Sequence, residues 1–375
     1  MKIPLSNPDI TKKEIDAVVE VLKTPHLSLG PKLPEFEHKF ARFIGTKYAV
    51  AVNSGTSGLH LSIRALNIKD GDEVITTPFS FIASANCILF ERAKPVFVDI
   101  RKDTLNIDED QIEEKITKRT KAILPVHVFG YPCNMTKINK IAKEYKLKVI
   151  EDACEAIGAQ LDGHNVGTFG DTSIFAFYPN KQMTTGEGGM IVTDNQKIAD
   201  DCKSMRNQGR NDSSKWLIHD RLGFNYRLSD INCALGIAQL ERIDELLKKR
   251  ERVAELYKSE LAEIKNIVLP PYDTDNMRRS WFVYVIQLTS NFSKTTRDNI
   301  IEILKKKGIA CGIYFPSIHL QPFYQKIFGF QKGAFPVTEL ISERSLALPF
   351  YSNLSNKDIK YIANSLKQAL TEINR

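Results

Sequence analysis

The sequence predicts an α/β protein: an open, mostly parallel sheet between helices, followed by a smaller α+β domain. Three observations point there. Over the first two-thirds of the chain, short apolar runs alternate with helical patterns across short connections, the rhythm of a sheet covered on both faces. A long helical stripe follows and leads to a break at Pro270-Pro271. The length of 375 residues, at roughly 150 per domain, suits two or three domains, each with its own core.

Seven strand-like segments carry the first pattern: Tyr48–Val52, Val74–Thr77, Pro95–Ile100, Ala122–Val128, Lys148–Glu151, Ser173–Phe177 and Met190–Thr193. Several are apolar nearly throughout, as strands buried on both faces tend to be. Between them lie helical stretches such as Leu59–Leu66, Ser84–Glu91 and Lys137–Tyr145. Ser229 is placed to cap one long helix, along which Leu240, Ile243, Leu247, Ala254, Tyr257 and Leu261 keep a single apolar stripe. The run Lys248-Lys249-Arg250 reads as the solvated face of that helix, since acidic residues are interspersed. After the prolines, Phe282–Leu288, a helix near Thr295–Lys307 and a last helix near Lys357–Glu372 form the smaller unit. The expected division is a large domain over 1–250 and a small one over 251–375.

Charge and cysteine usage narrow the function. Lys and Arg total 52 against 45 Asp and Glu, a net +7. Spread over this length without a local cluster, the excess argues against nucleic acid and suits anionic small molecules. The six cysteines (87, 133, 154, 202, 233 and 311) form no Cys-x-x-Cys pair and no zinc spacing, so no metal is expected. Scattered single thiols suit a reducing compartment. No apolar run is long enough to cross a bilayer, and Met1–Pro8 lacks a signal-like apolar region. A cytoplasmic protein without membrane contact is the expectation.

Three motifs carry chemistry. Asn53-Ser-Gly-Thr-Ser-Gly58 follows a strand and opens a helix. Free N–H groups at a helix N-terminus, with Gly55 allowing close approach and Thr56 and Ser57 adding hydroxyls, make a phosphate cradle. It lacks the Walker ending and the dinucleotide Gly pattern, and taken alone it is equally a tight strand-to-helix turn. Asp152 ends an apolar strand at the carboxyl edge of the sheet, where ligands of open α/β folds bind. There it suits a cationic ring nitrogen, a metal or the cap of the next helix. Lys181 stands just past another apolar strand, before a Gly-rich turn. A partly desolvated amine gives up its proton more readily and then attacks a carbonyl to form a Schiff base. Phosphate cradle, ring-nitrogen carboxylate and Schiff-base lysine together are what pyridoxal 5′-phosphate requires.

With these residues in view, the chain resembles the DegT/StrS nucleotide-sugar aminotransferases, fold type I enzymes of pyridoxal phosphate. The resemblance spans nearly the whole chain. It rests on Pro4-Leu-Ser-Asn-Pro-Asp-Ile10, Leu27-Ser-Leu-Gly30, the Asn53–Gly58 block, Thr77-Pro-Phe-Ser-Phe-Ile-Ala-Ser-Ala-Asn86, Glu151-Asp-Ala-Cys-Glu-Ala156, Gly223-Phe-Asn-Tyr-Arg-Leu228, Ser317-Ile-His-Leu-Gln-Pro322 and Ser345-Leu-Ala-Leu-Pro349. It implies a seven-stranded sheet and assigns roles. Lys181 would hold the cofactor as a Schiff base and then move the proton, while Asp152 would keep the pyridine nitrogen protonated. Gly55, Thr56 and Ser57 would bind the phosphate, and Phe81 would stack on the ring. Asn225 would reach the phosphate in a neighbouring subunit, making a homodimer with shared sites. Arg227 and His319 would face the sugar nucleotide.

Two positions depart from the family pattern. Ala176 stands five residues before the lysine, where Ser is frequent and gives a phosphate contact. Glu155 stands where Gln or His is common beside the cofactor's phenolic oxygen. An ionised carboxylate there would repel a phenolate, so Glu155 is expected either protonated or turned toward the substrate. Glutamate here resembles the perosamine-synthase branch, which aminates C-4 of a 4-keto-6-deoxy sugar. The implied activity is transamination of a nucleotide-linked keto-sugar with L-glutamate as donor, a step in amino-sugar and polysaccharide biosynthesis. The alternatives are a 3-keto sugar, a non-nucleotide ketone of the cyclitol or aminobenzoate type, or a silent regulatory homologue. Family members that dehydrate the sugar carry His in place of the lysine, so Lys181 disfavours dehydration.

Overall fold

The computed structural model describes residues 2–210 and 218–373. Its centre is a seven-stranded sheet in the order Tyr48–Val52, Gly189–Thr193, Thr172–Ala176, Lys148–Asp152, Thr120–Ile123, Glu73–Thr76, Lys94–Phe97. The Gly189–Thr193 strand runs antiparallel to both of its neighbours; the other pairings are parallel. Each of the seven apolar runs is a strand of this sheet.

The alternation of side chains explains why those runs are apolar throughout. Val50, Val52, Ile174 and Ile191 enter one apolar cluster, whereas Ala49, Ala51, Phe175, Met190 and Val192 enter another with Phe36 and Phe40. Successive residues of a strand point to opposite faces, so a sheet with a core on each side needs no polar positions. The strand expected over Ala122–Val128 is Thr120–Ile123 and ends earlier, at Ile123. Past Pro125 only an isolated bridge, Val126 to Asp152, continues the pairing, and the chain turns through Phe129 at φ 53°.

The long helix expected from Ser229 is two helices, Asp230–Leu240 and Ile243–Leu261. Ser229 does cap the first, its hydroxyl accepting the Asn232 N–H at 3.2 Å. The break falls at Glu241-Arg242, where the Arg242 guanidinium donates to Glu14 (2.7 Å) and Asp9 (3.1 Å). Those carboxylates come from the start of the chain, so no helical periodicity contains them.

A second sheet, Ile267–Val268, Tyr284–Leu288 and Ser345–Leu348, is antiparallel. Its core joins Trp281, Tyr284 and Leu346 to Leu304, Ile362 and Leu366 of the helices Lys294–Lys306 and Asn356–Ile373. Apart from Ile3, every buried member of that core lies at Val253 or later. The division expected after residue 250 thus falls inside one helix. Ile243 and Leu246 pack in the large core, and Val253, Tyr257 and Leu261 in the small one. Arg250, read from sequence as solvated, sits between the two at 3% exposure. It follows Leu246 by four residues and precedes Ala254 by four, so it occupies the apolar stripe itself.

Candidate active site

Four strand ends meet at the carboxyl edge of the large sheet and enclose a cavity of about 530 Å³. Each contributes the residues just beyond it. After Tyr48–Val52 come Gly55 and Thr56, after Glu73–Thr76 comes Phe81, after Lys148–Asp152 come Cys154 and Glu155, and after Thr172–Ala176 comes Lys181. Parallel strands put all their C-terminal ends on one edge, so residues distant in sequence converge there.

The helix Gly55–Ala65 begins at this edge, with Ser54 as its cap accepting the Ser57 N–H. A Cβ on Gly55 would lie 2.9 Å from the Ala176 Cβ and 3.0 Å from the Cys154 sulfur. Only glycine lets this helix start so close to the neighbouring strand ends. Thr56 lines the cavity. Ser57 does not: it is buried, and its hydroxyl donates to the Asn53 side chain at 2.6 Å.

Asp152 is 5% exposed and oriented from two sides. Ser84 Oγ donates to its Oδ2 at 2.6 Å and the Cys154 N–H to its Oδ1 at 3.1 Å. Glu155 accepts the Phe129 N–H at 2.8 Å on Oε2, while its Oε1 lies 3.6 Å from Lys181 Nζ. Burial raises the Glu155 carboxyl above the ordinary value, against the opposing charge of Lys181. The Lys181 amine also lies 3.9 Å from the centre of the Phe282 ring. Phe81 is 61% exposed at the cavity rim.

The remaining expected residues do not line this cavity. Asn225 is exposed outside it, with its carbonyl accepting from Asn53 Nδ2 at 3.4 Å. The Arg227 guanidinium donates to Asn207 Oδ1 at 3.0 Å. His319, expected to face the substrate, is instead fully buried. Its Nε2 is 2.9 Å from Glu339, and the Phe330 and Phe335 rings pack edge-on against it. Glu339 in turn accepts the N–H groups of Gly333 and Phe335. The histidine therefore sits within a packed loop, where burial lowers its proton affinity despite the nearby carboxylate.

Ser84, Phe282 and Tyr314 were not singled out from sequence, yet all three line the cavity. Ser84 lay within the quoted Thr77–Asn86 block, but its bond to a carboxylate 68 residues away has no local signature. Phe282 and Tyr314 come from the small unit and reach the site only through tertiary packing.

Comparison with known proteins adds to this geometry. The chain matches the DegT/DnrJ/EryC1/StrS aminotransferase family over residues 8–367. The chain belongs to this family. It is 39% identical to the GDP-perosamine synthase of Caulobacter vibrioides, over 98% of each chain. Among solved structures it is similar to PseC of Helicobacter pylori, an aminotransferase of pseudoaminic acid biosynthesis. That match has TM-score 0.94 and 30% identity, covering 99% of this chain and all of the other. It is also similar to the putative sugar aminotransferase Spr1654 of Streptococcus pneumoniae in its PLP form. There the TM-score is 0.95 and the identity 28%, with both chains fully covered.

The enzyme is thus a sugar aminotransferase, and its cofactor is pyridoxal 5′-phosphate. The cavity suits that group on its own chemistry. A helix N-terminus that only glycine could bring so close offers N–H groups to a phosphate. A buried, oriented carboxylate matches a protonated ring nitrogen, and a lysine amine lines the same space. Ala176 lines it too, so no hydroxyl comes from that position. No helix among the described residues is long and apolar enough to cross a membrane.

Proposed function

We propose that this enzyme transfers an amino group from L-glutamate to C-4 of a nucleotide-linked 4-keto-6-deoxyhexose. The observation that carries the reading is Lys181 Nζ standing 3.6 Å from Glu155 in the cavity that Asp152 and Thr56 also line. The likeness to a GDP-perosamine synthase supports the choice of a 4-keto sugar.

The cofactor, when bound, supplies a carbon that condenses with amines and a ring that takes up an electron pair. The chain supplies the rest. Thr56 and the N–H groups at the start of its helix receive the phosphate. Asp152, held by Ser84 and the Cys154 N–H, keeps the ring nitrogen's proton in place. Phe81, exposed at the cavity rim, would cover one face of the ring. Lys181 Nζ would hold and move the proton that the transfer requires, in one direction for the donor and in reverse for the keto-sugar. Glu155, its carboxyl raised by burial against the charge of Lys181, would repel an anionic cofactor oxygen less than an ordinary carboxylate would.

A second copy of the chain completes the site. Asn225 would reach a neighbour's phosphate, with Arg227 beside it for the sugar nucleotide; its exposure outside the cavity of its own chain leaves it open to such a contact. The test is a panel of nucleotide-linked 3-keto and 4-keto sugars incubated with glutamate and read by mass spectrometry. A mass change only with 4-keto substrates is the expected result. Amination of 3-keto sugars or free cyclic ketones alone would overturn the assignment.

A further inference from the structure

Arg250 is a buried cation without a counter-ion. It is 3% exposed, and among the described residues no carboxylate lies within ion-pair distance of it. Burial lowers its proton affinity to about 10. Its guanidinium is spent on main-chain carbonyls. Nη2 donates to Lys181 O at 2.8 Å and Asn180 O at 3.2 Å; Nη1 donates to Phe282 O at 3.1 Å and Trp281 O at 3.5 Å. Nε has no hydrogen-bond partner. On stability alone the arrangement is poor. A buried unpaired charge is costly, and an apolar residue of like size on this helix stripe would avoid the cost.

The identity of the four carbonyls suggests why the arginine is there. Two belong to the segment that roots Lys181. The other two belong to the segment that carries Phe282, whose ring lies 3.9 Å from Lys181 Nζ. One planar fork thus spans the base of the reactive side chain and the surface on which its amine rests. The two segments hang from different sheets: Lys181 follows the strand Thr172–Ala176 of the large sheet, whereas Phe282 lies two residues before the strand Tyr284–Leu288 of the small one. Arg250 stands where the helix Ile243–Leu261 passes from one core to the other.

We propose that Arg250 is a positioning residue of the transamination site, locking the Lys181 main chain to the Phe282 segment so that Nζ is held between the Phe282 ring and Glu155. The proposal rests on the reading of Lys181 as the amine that moves the proton. Lysine is a poor substitute here, because a compact ammonium does not present two parallel pairs of donors to carbonyls on two segments.

The experiment compares wild type with Arg250→Lys, Arg250→Met and Phe282→Leu. In the holoenzyme, both Arg250 variants should lose about 10²-fold in kcat, the scale of a misplacement of about 1 Å, with KM changed far less. In the cofactor-free protein, amide hydrogen exchange is followed in peptides covering residues 178–183 and 281–285. Both segments should exchange about tenfold faster in the two Arg250 variants, and the remainder of the chain at the wild-type rate. Phe282→Leu keeps the four carbonyl contacts and should lower kcat without loosening residues 178–183. Wild-type kcat in Arg250→Lys would overturn the proposal. So would faster exchange in only one of the two segments, or faster exchange spread over the whole chain. If Arg250→Met does not fold, Arg250→Lys and Phe282→Leu decide the matter. The exchange measurement needs no turnover, so failure of the assigned reaction and failure of the Arg250 role are told apart.

Discussion

Glu151, in the strand Lys148–Asp152, and Glu155, just beyond its end, are both buried and are held in opposite ways. The Glu151 carboxylate accepts five hydrogen bonds: from the N–H groups of Gly167, Phe169 and Gly170, from Ser173 Oγ and from His127 Nε2. Burial by itself would raise its proton affinity, but the His127 bond and charge with the other donors hold the carboxyl below the ordinary value. Glu155 has one N–H donor, from Phe129, and a lysine amine at 3.6 Å; burial prevails and its carboxyl is raised. A saturated carboxylate organises a loop. An unsaturated one beside a lysine keeps the capacity to exchange a proton. The two neighbouring acids thus differ in how fully their oxygens are satisfied.

The sharpest way to break this comparison is to remove the amine that distinguishes the second site. Lys181→Ala should abolish turnover, with borohydride no longer fixing the cofactor to the chain, while urea unfolding stays within about 1 kcal/mol of wild type. Retained turnover would show that the proton passes elsewhere.

Glu151→Gln tests the saturated acid. Its new amide donors would face groups that are themselves donors, and a destabilisation of about 3 kcal/mol is expected from urea titration at neutral pH. The pH dependence follows from the lowered carboxyl. Its stabilising contribution is present above the unfolded value of 4.5 and is lost as pH falls through the lower folded value. Wild type should therefore lose stability in acid more steeply than Glu151→Gln. Parallel curves would mean that the five donors do not favour the ionised form.

Glu155→Gln should have the smallest effect on stability, and of opposite sign. A raised carboxyl stabilises the fold below the unfolded value of 4.5, and that contribution is lost as pH rises through the folded value. In the cofactor-free protein the variant should match wild type near pH 4 and exceed it near pH 8. A variant less stable than wild type at pH 8 would show that the Lys181 pair, not burial, governs this acid.

Much of the fold was legible because it is written in local pattern. Seven apolar runs became the seven strands of one sheet, and Ser229 capped the helix it precedes. Thr56, Asp152 and Lys181 were conspicuous because each follows an apolar strand and carries a functional group, and the sheet collects them in one cavity. The misreadings share a different cause. At the helix break Arg242 meets Asp9 and Glu14, the buried Arg250 meets carbonyls at 180–181 and 281–282, and His319 is enclosed by Glu339 and two phenylalanines, all of them partners distant in sequence.

The sequence by itself therefore determined the layered α/β architecture and the chemical inventory of the site. Apolar periodicity sets which face of a strand or helix avoids water, and strand direction sets which edge receives the loops. Only the tertiary structure decided which charges are satisfied. Whether Glu151, Glu155 or Arg250 holds a proton firmly depends on donors and acceptors brought within about 3 Å by packing, and no local pattern along the chain records which partners those are.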